Sequence, residues 1–178
     1  MRKLLCVMAI ASAGLATVYA AEPAKKARDM QCCPIDPKAA ATLERIKKLE
    51  GTWVMSAPGQ PPMSIVFKPT AGGSAVIETM FPGSREEMVN LYTADGDKIV
   101  ITHYCMLGQQ PRMKQASSDD KTIQFEFVDG GNIKSRDDAH MDAVALTVDG
   151  DTLKETWSFY SGGNVVDQKV FELKRQAR

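Results

Sequence analysis

The chain has 178 residues, 44% of them apolar and 25% charged, with 22 basic and 22 acidic side chains. That length supports one domain with a real core, and the composition excludes a disordered chain. The net charge of zero falls to −2 if Arg2 and Lys3 leave with a leader, which excludes a phosphate-driven nucleic-acid binder that needs a basic face.

Arg2 and Lys3 precede an apolar run from Leu4 to Val18, and Val18-Tyr19-Ala20 offers small residues before a cut at Ala20-Ala21. A charged start, a short apolar core and a small-residue exit are the pattern of a secretory signal peptide over 1–20. The run is shorter than the roughly 20 residues a membrane helix needs, and no later segment is apolar enough to span. A periplasmic or extracellular protein is therefore expected. Cys6 leaves with the leader, so Cys32, Cys33 and Cys105 remain. An odd thiol count in an oxidising compartment leaves three options for Cys32 or Cys33: a bridge to another chain, a metal, or a free thiol.

Residues 21–35 are polar, have no period and read as a lead-in to a single domain over 36–178. Asp36-Pro37 is a helix start, since Asp caps free amides and Pro suits the first turn. Leu43, Ile46 and Leu49 give a short apolar stripe that Gly51 ends. From Gly51 the period changes to two. Strands are predicted near 51–56, 62–68, 74–81, 86–93, 97–107, 110–116, 121–128, 140–148, 151–160 and 164–174. Asp95-Gly96-Asp97 and Asp149-Gly150-Asp151 are the strongest hairpin signals between them. The one long connection is Asp129 to Ala139. About ten short strands and one short helix predict an all-β fold, a single up-and-down antiparallel barrel, because closure hides the sheet edges.

Alternation assigns faces. Ile99, Ile101, His103, Cys105 and Leu107 share one face, and Ile123, Phe125 and Phe127 another. His140, Asp142, Val144, Leu146 and Val148 share a third, and Leu153, Glu155, Trp157 and Phe159 a fourth. With the more apolar face inside, both histidines of the chain, a thiol and two acids project inward.

Gly51-Thr52-Trp53, after a short helix and opening the first strand, resembles the Gly-x-Trp signature of lipocalins and the wider calycin group. The resemblance implies that Trp53 closes one barrel end, stacked by a basic residue late in the last strand, Lys174 or Arg175. A second likeness is to an uncharacterised family of exported bacterial lipocalin-like proteins. It is carried by Ala71-Gly72-Gly73-Ser74-Ala75, Ile77-Glu78-Thr79, Phe81-Pro82-Gly83, Glu87-Met88-Val89, Thr102-His103-Tyr104-Cys105, Gln110-Pro111-Arg112-Met113, His140-Met141 and Glu155 with Trp157. It covers most of 45–174 and implies fold more than function. Relatives often carry a second His where this chain has Asp142.

Three functions are weighed. The first is a non-catalytic barrel around a small apolar or amphipathic ligand, with walls from Ile101, Phe125, Phe127, Val144, Leu146, Trp157 and Phe159. Its polar contacts are His103, Tyr92, Arg112, His140 and Glu155. The second is a metal or haem barrel using His103, Cys105, His140 and Asp142, with Zn, Cu or haem as the candidate cofactor; the first needs no cofactor. The third is an envelope protein acting through its surface, tethered by Cys32 or Cys33. Met106 and Met141 fall opposite His103 and His140, so the methionines read as packing rather than as a Cu(I) cluster. No Gly-x-Ser-x-Gly, P-loop or His-Glu-x-x-His motif occurs, and no third group orients a Cys105–His103 pair. No catalytic residue is assigned.

Overall fold

The computed structural model describes residues 33–56 and 61–177. The leader, its cut, most of the lead-in and Cys32 lie outside the described residues. Helix α1 is Pro37–Lys47. The Asp36 carboxylate accepts from the Lys38 amide at 2.8 Å, and Pro37 occupies the first turn, where an amide would go unused. Ala39, Leu43 and Ile46 form the buried stripe, and Arg45 and Lys47 sit in the last turn, where the helix dipole favours cations.

Ten strands follow: β1 Gly51–Met55, β2 Met63–Thr70, β3 Ala75–Met80, β4 Met88–Asp95, β5 Lys98–Tyr104, β6 Gln110–Ser118, β7 Thr122–Gly131, β8 His140–Asp149, β9 Thr152–Ser161 and β10 Asn164–Arg175. Each pairs antiparallel with its neighbour in sequence, and β1 meets β10 to close the barrel. The architecture is consistent with a calycin-type fold.

The apolar stripe of α1 joins the barrel core at the end where β2 turns into β3 and β6 into β7. The Arg45 side chain donates to Ser118 Oγ there. Trp53 is fully buried at this end, and its indole N–H donates to the Leu49 carbonyl at 2.8 Å. The Arg175 guanidinium, rather than Lys174, lies 4.2 Å over the Trp53 ring.

Two local features change the predicted faces. Strand β5 stops at Tyr104, because the Cys105 amide bonds the Gln109 carbonyl and the Gly108 amide bonds back to Cys105. Gly108 turns the chain at φ 77°, which a side chain would resist. Cys105 and Leu107 therefore lie in the turn beyond β5, at the same barrel end as His103, and Leu107 is exposed. In β8 the register slips between Met141 and Ala143. Such a bulge inserts one residue and reverses the parity of what precedes it. Met141 now pairs with inward-facing Phe159, and His140 pairs with Tyr160. Val144 and Leu146 keep their predicted inward positions.

The barrel is filled through most of its length. Ile65, Phe67, Tyr92, Ile101, Met113, Phe125 and Leu153 are essentially without solvent contact and belong to one core. The open calyx expected from the sequence is thus reduced to its two ends. Ile101, Phe125 and Val144, predicted as ligand walls, are core packing.

Candidate ligand cup at the open barrel end

At the end away from α1, a cavity of about 400 Å³ opens between the turns after β3 and β5 and the strands β8 to β10. Met80, Met88, Met141, Trp157, Phe159 and Phe171 are among its apolar lining residues. That volume lies within the range of small-molecule pockets. His103 is the one buried ionisable side chain on its lining, at 1% exposure.

The His103 ring is fixed on two sides. Its Nδ1 is 2.6 Å from Asn90 Oδ1, and its face packs on Trp157 at 5.0 Å between centroids. The amide oxygen can only accept, so Nδ1 carries the proton and Nε2 carries the lone pair. Nε2 is buried without a hydrogen-bond partner among the described residues. Burial pushes the imidazole down to about 4, so the ring is neutral across the physiological range.

Register explains the rest of the polar interior. Glu78 on β3, Asn90 on β4 and His103 on β5 are direct cross-strand neighbours in one row. Tyr92 Oη donates to Glu78 Oε2. Across the lumen, Trp157 Nε1 donates to Glu155 Oε2 at 3.0 Å. Glu78 Oε1 and Glu155 Oε1 are buried with no hydrogen-bond partner among the described residues. The Asn90 amide lies near enough to Glu78 to favour its charge, yet its Nδ2 closes no well-formed hydrogen bond. Burial raises Glu78 to about 7, against the pull of Tyr92 and Asn90. Burial, and then the charge of Glu78, raises Glu155 well above the carboxylate range. A buried charge without a partner costs several kcal/mol, so the carboxyls hold protons instead. Tyr92 is pushed up by burial and by both acids.

The residues singled out from sequence separate into three places. His103 and Trp157 line the cup. Tyr92 and Glu155 are fully buried in the polar core and have no place on the cup lining. Arg112 and His140 are elsewhere. Arg112 stands on the outer surface and pairs with Asp129 at 3.1 Å, because it alternates with buried Pro111 and Met113.

His140 belongs to a latch under the 132–139 loop. Its Nδ1 donates to the Asp138 carbonyl at 2.6 Å, and its Nε2 accepts from Arg136 at 2.7 Å. Its ring packs on Phe127 and Tyr160. Arg136 also bonds Asp142 at 2.5 Å and lies 3.8 Å over the Tyr160 ring. The four-residue set His103, Cys105, His140 and Asp142 is therefore not assembled: the first two border the cup, and the last two are held by Arg136. Among the described residues no group of three or more His, Cys, Asp or Glu side chains is placed to hold a metal ion.

Glu78, Asn90, Met80 and Met88 were not among the predicted site residues. On β3 the outward face carries Ile77 and the inward face carries Glu78, so hydropathy alternation points the wrong way. Glu78 and Met88 do fall in two of the stretches on which the sequence resemblance rests, Ile77-Glu78-Thr79 and Glu87-Met88-Val89. Neither the family models nor the curated proteins contain a match to this chain.

Proposed function

We propose that this protein is an exported, non-catalytic binding barrel whose open-end cup takes a small apolar or amphipathic molecule. Export rests on the charged, apolar and small-residue pattern of 1–20. The observation that carries the binding role is the unpartnered His103 Nε2 on the wall of an apolar cavity of about 400 Å³. A buried acceptor without a donor costs about 1–3 kcal/mol, and a ligand bearing one O–H or N–H would recover it. The apolar part of such a ligand would displace water from the methionine and aromatic wall, at about 25 cal/mol per Å² buried.

N-phenyl-1-naphthylamine is a suitable probe, being apolar with a single N–H. Saturable binding with a fluorescence rise is expected. Met141→Trp, which fills the cup, should abolish it, and His103→Leu should weaken it about tenfold by removing the acceptor. Absence of saturable binding, or equal affinity in the wild type and Met141→Trp, would overturn the reading. Native mass spectrometry of protein from an envelope extract then identifies the natural occupant.

A further inference from the structure

The cup contains a donor set that an organic ligand does not require. Four thioethers, Met80, Met88, Met106 and Met141, line it together with His103 and Cys105, Met106 being the exposed one. Met80 and Met88 are direct cross-strand partners on β3 and β4. Partners of this kind have Cβ atoms roughly 5 Å apart. Met88 stands one inward position above Asn90, whose own cross-strand partner is His103. Two sulfurs and one imidazole thus come from three adjacent strands at the same end of the barrel. The unbranched thioether arms have the reach and freedom to converge on one point.

The nitrogen in this set is prepared for coordination. His103 Nδ1 is tied to Asn90, which leaves Nε2 as the lone-pair atom, buried and without a partner. Metal-binding histidines are characteristically oriented in this way by a hydrogen bond at their other nitrogen. The bulge in β8 matters as well, since it turns Met141 inward, onto the same cavity as His103. The parity that separated the methionines from the histidine in the sequence does not hold in the fold.

We propose that Cu(I) binds in this cup through His103 Nε2 and the sulfurs of Met80 and Met88, with Met141 and Cys105 beside it. Neutral thioether and imidazole donors select a soft monovalent ion over Mg²⁺ or Ca²⁺, which require oxygen. The metal is taken up as Cu(I) and no electron is exchanged. This goes beyond the organic ligand proposed above: it is a second class of occupant for the same cup.

The test is Cu(I) competition against bicinchoninate under reducing conditions, using the chain from Ala21 onward with Cys32→Ser and Cys33→Ser so that neither leader nor lead-in thiols contribute. One Cu(I) per chain is expected, and native mass spectrometry with Ag(I), a redox-inert stand-in, should give the same stoichiometry. Met80→Leu with Met88→Leu, and separately His103→Gln, should each weaken binding about 100-fold. Leucine keeps the wall apolar, so the double variant should still bind N-phenyl-1-naphthylamine, which shows that the cup is intact. Failure of the wild type to take Cu(I) from bicinchoninate would overturn the proposal. So would unchanged Cu(I) affinity in the double leucine variant, which would make the methionines packing only. Probe binding without Cu(I) binding leaves the organic reading standing and removes this one; the reverse pattern removes the organic reading alone.

Discussion

Three buried ionisable side chains, His103, Glu78 and Glu155, make the metal-free barrel sensitive to pH in opposite directions. Glu78 is raised from an ordinary 4.5 to about 7, and burial and the Glu78 charge raise Glu155 well above its ordinary value. Between those limits the folded chain keeps protons that the unfolded chain releases, so each acid makes stability fall as pH rises. His103 is lowered from 6.5 to about 4. In its window the unfolded chain takes a proton that the folded chain refuses, so stability rises with pH. Where the windows overlap, two acids oppose one imidazole, and the balance is one proton. Stability should fall from pH 4.5 toward 6.5 by on the order of 1 kcal/mol per pH unit. Asp119, Asp138 and Asp167 are held low by hydrogen bonds and act below this range. Glu78→Gln keeps an acceptor for Tyr92 and removes one acid, leaving Glu155 against His103. Urea midpoints at pH 5 and 6 should then be nearly level. A slope equal to that of the wild type would mean that Glu78 is not the titrating group.

The 132–139 loop is longer than its neighbours, and one side chain ties much of it down. Arg136 stacks on Tyr160, bonds Asp142 and donates to His140, while Asp138 accepts from the amides of Lys134 and Ser135. Arg136→Ala removes the stack and leaves His140 Nε2 buried without a donor. A loss of about 2 kcal/mol is expected, with faster amide exchange across the loop and no change in probe binding at the cup. Arg136→Lys should not rescue it, because an ammonium cannot stack flat and donate in two directions at once. A thermal melt matching the wild type would show that the latch is incidental. The strands on either side of this loop were legible from sequence, because Gly and Asp turn signals and period-two patterning are local. The latch was not legible. It depends on a bulge between Met141 and Ala143, and no residue type there announces an inserted position. The inner acids escaped for a related reason: alternation places the more apolar face inside, whereas β3 puts Glu78 inward and Ile77 outward. His103 and Trp157 line the cup because their strands follow the rule up to it. Cys105 lies one residue past the end of β5 and still reaches the cup beside His103.

A closed barrel is only as cooperative as its weakest seam, and here the seam is short. Strands β1 and β10 share two register pairs, Trp53 with Arg175 and Val54 with Lys174, whereas β9 and β10 share ten. What holds the seam is side-chain chemistry at the helix end. Arg175 covers the Trp53 ring, and its two terminal nitrogens donate to the Glu50 and Lys48 carbonyls at 2.9 Å each. Those carbonyls belong to the residues that end α1 and open β1, so one guanidinium joins the helix, the first strand and the last. Arg175→Ala should cost about 1–2 kcal/mol, combining the lost stack with two hydrogen bonds to exposed carbonyls that water replaces only in part. Arg175→Lys should recover less than half, since one ammonium cannot bridge both oxygens in plane. Hydrogen exchange gives the sharper test. In Arg175→Ala the amides of β1 and the last turn of β10 should open well below the global unfolding energy, while those of β8 and β9 stay at it. If all four strands exchange together, the seam draws its strength from the buried Trp53 and its bond to Leu49 rather than from Arg175. Trp53→Phe, which keeps the ring but loses the indole N–H, would then be the variant that loosens it.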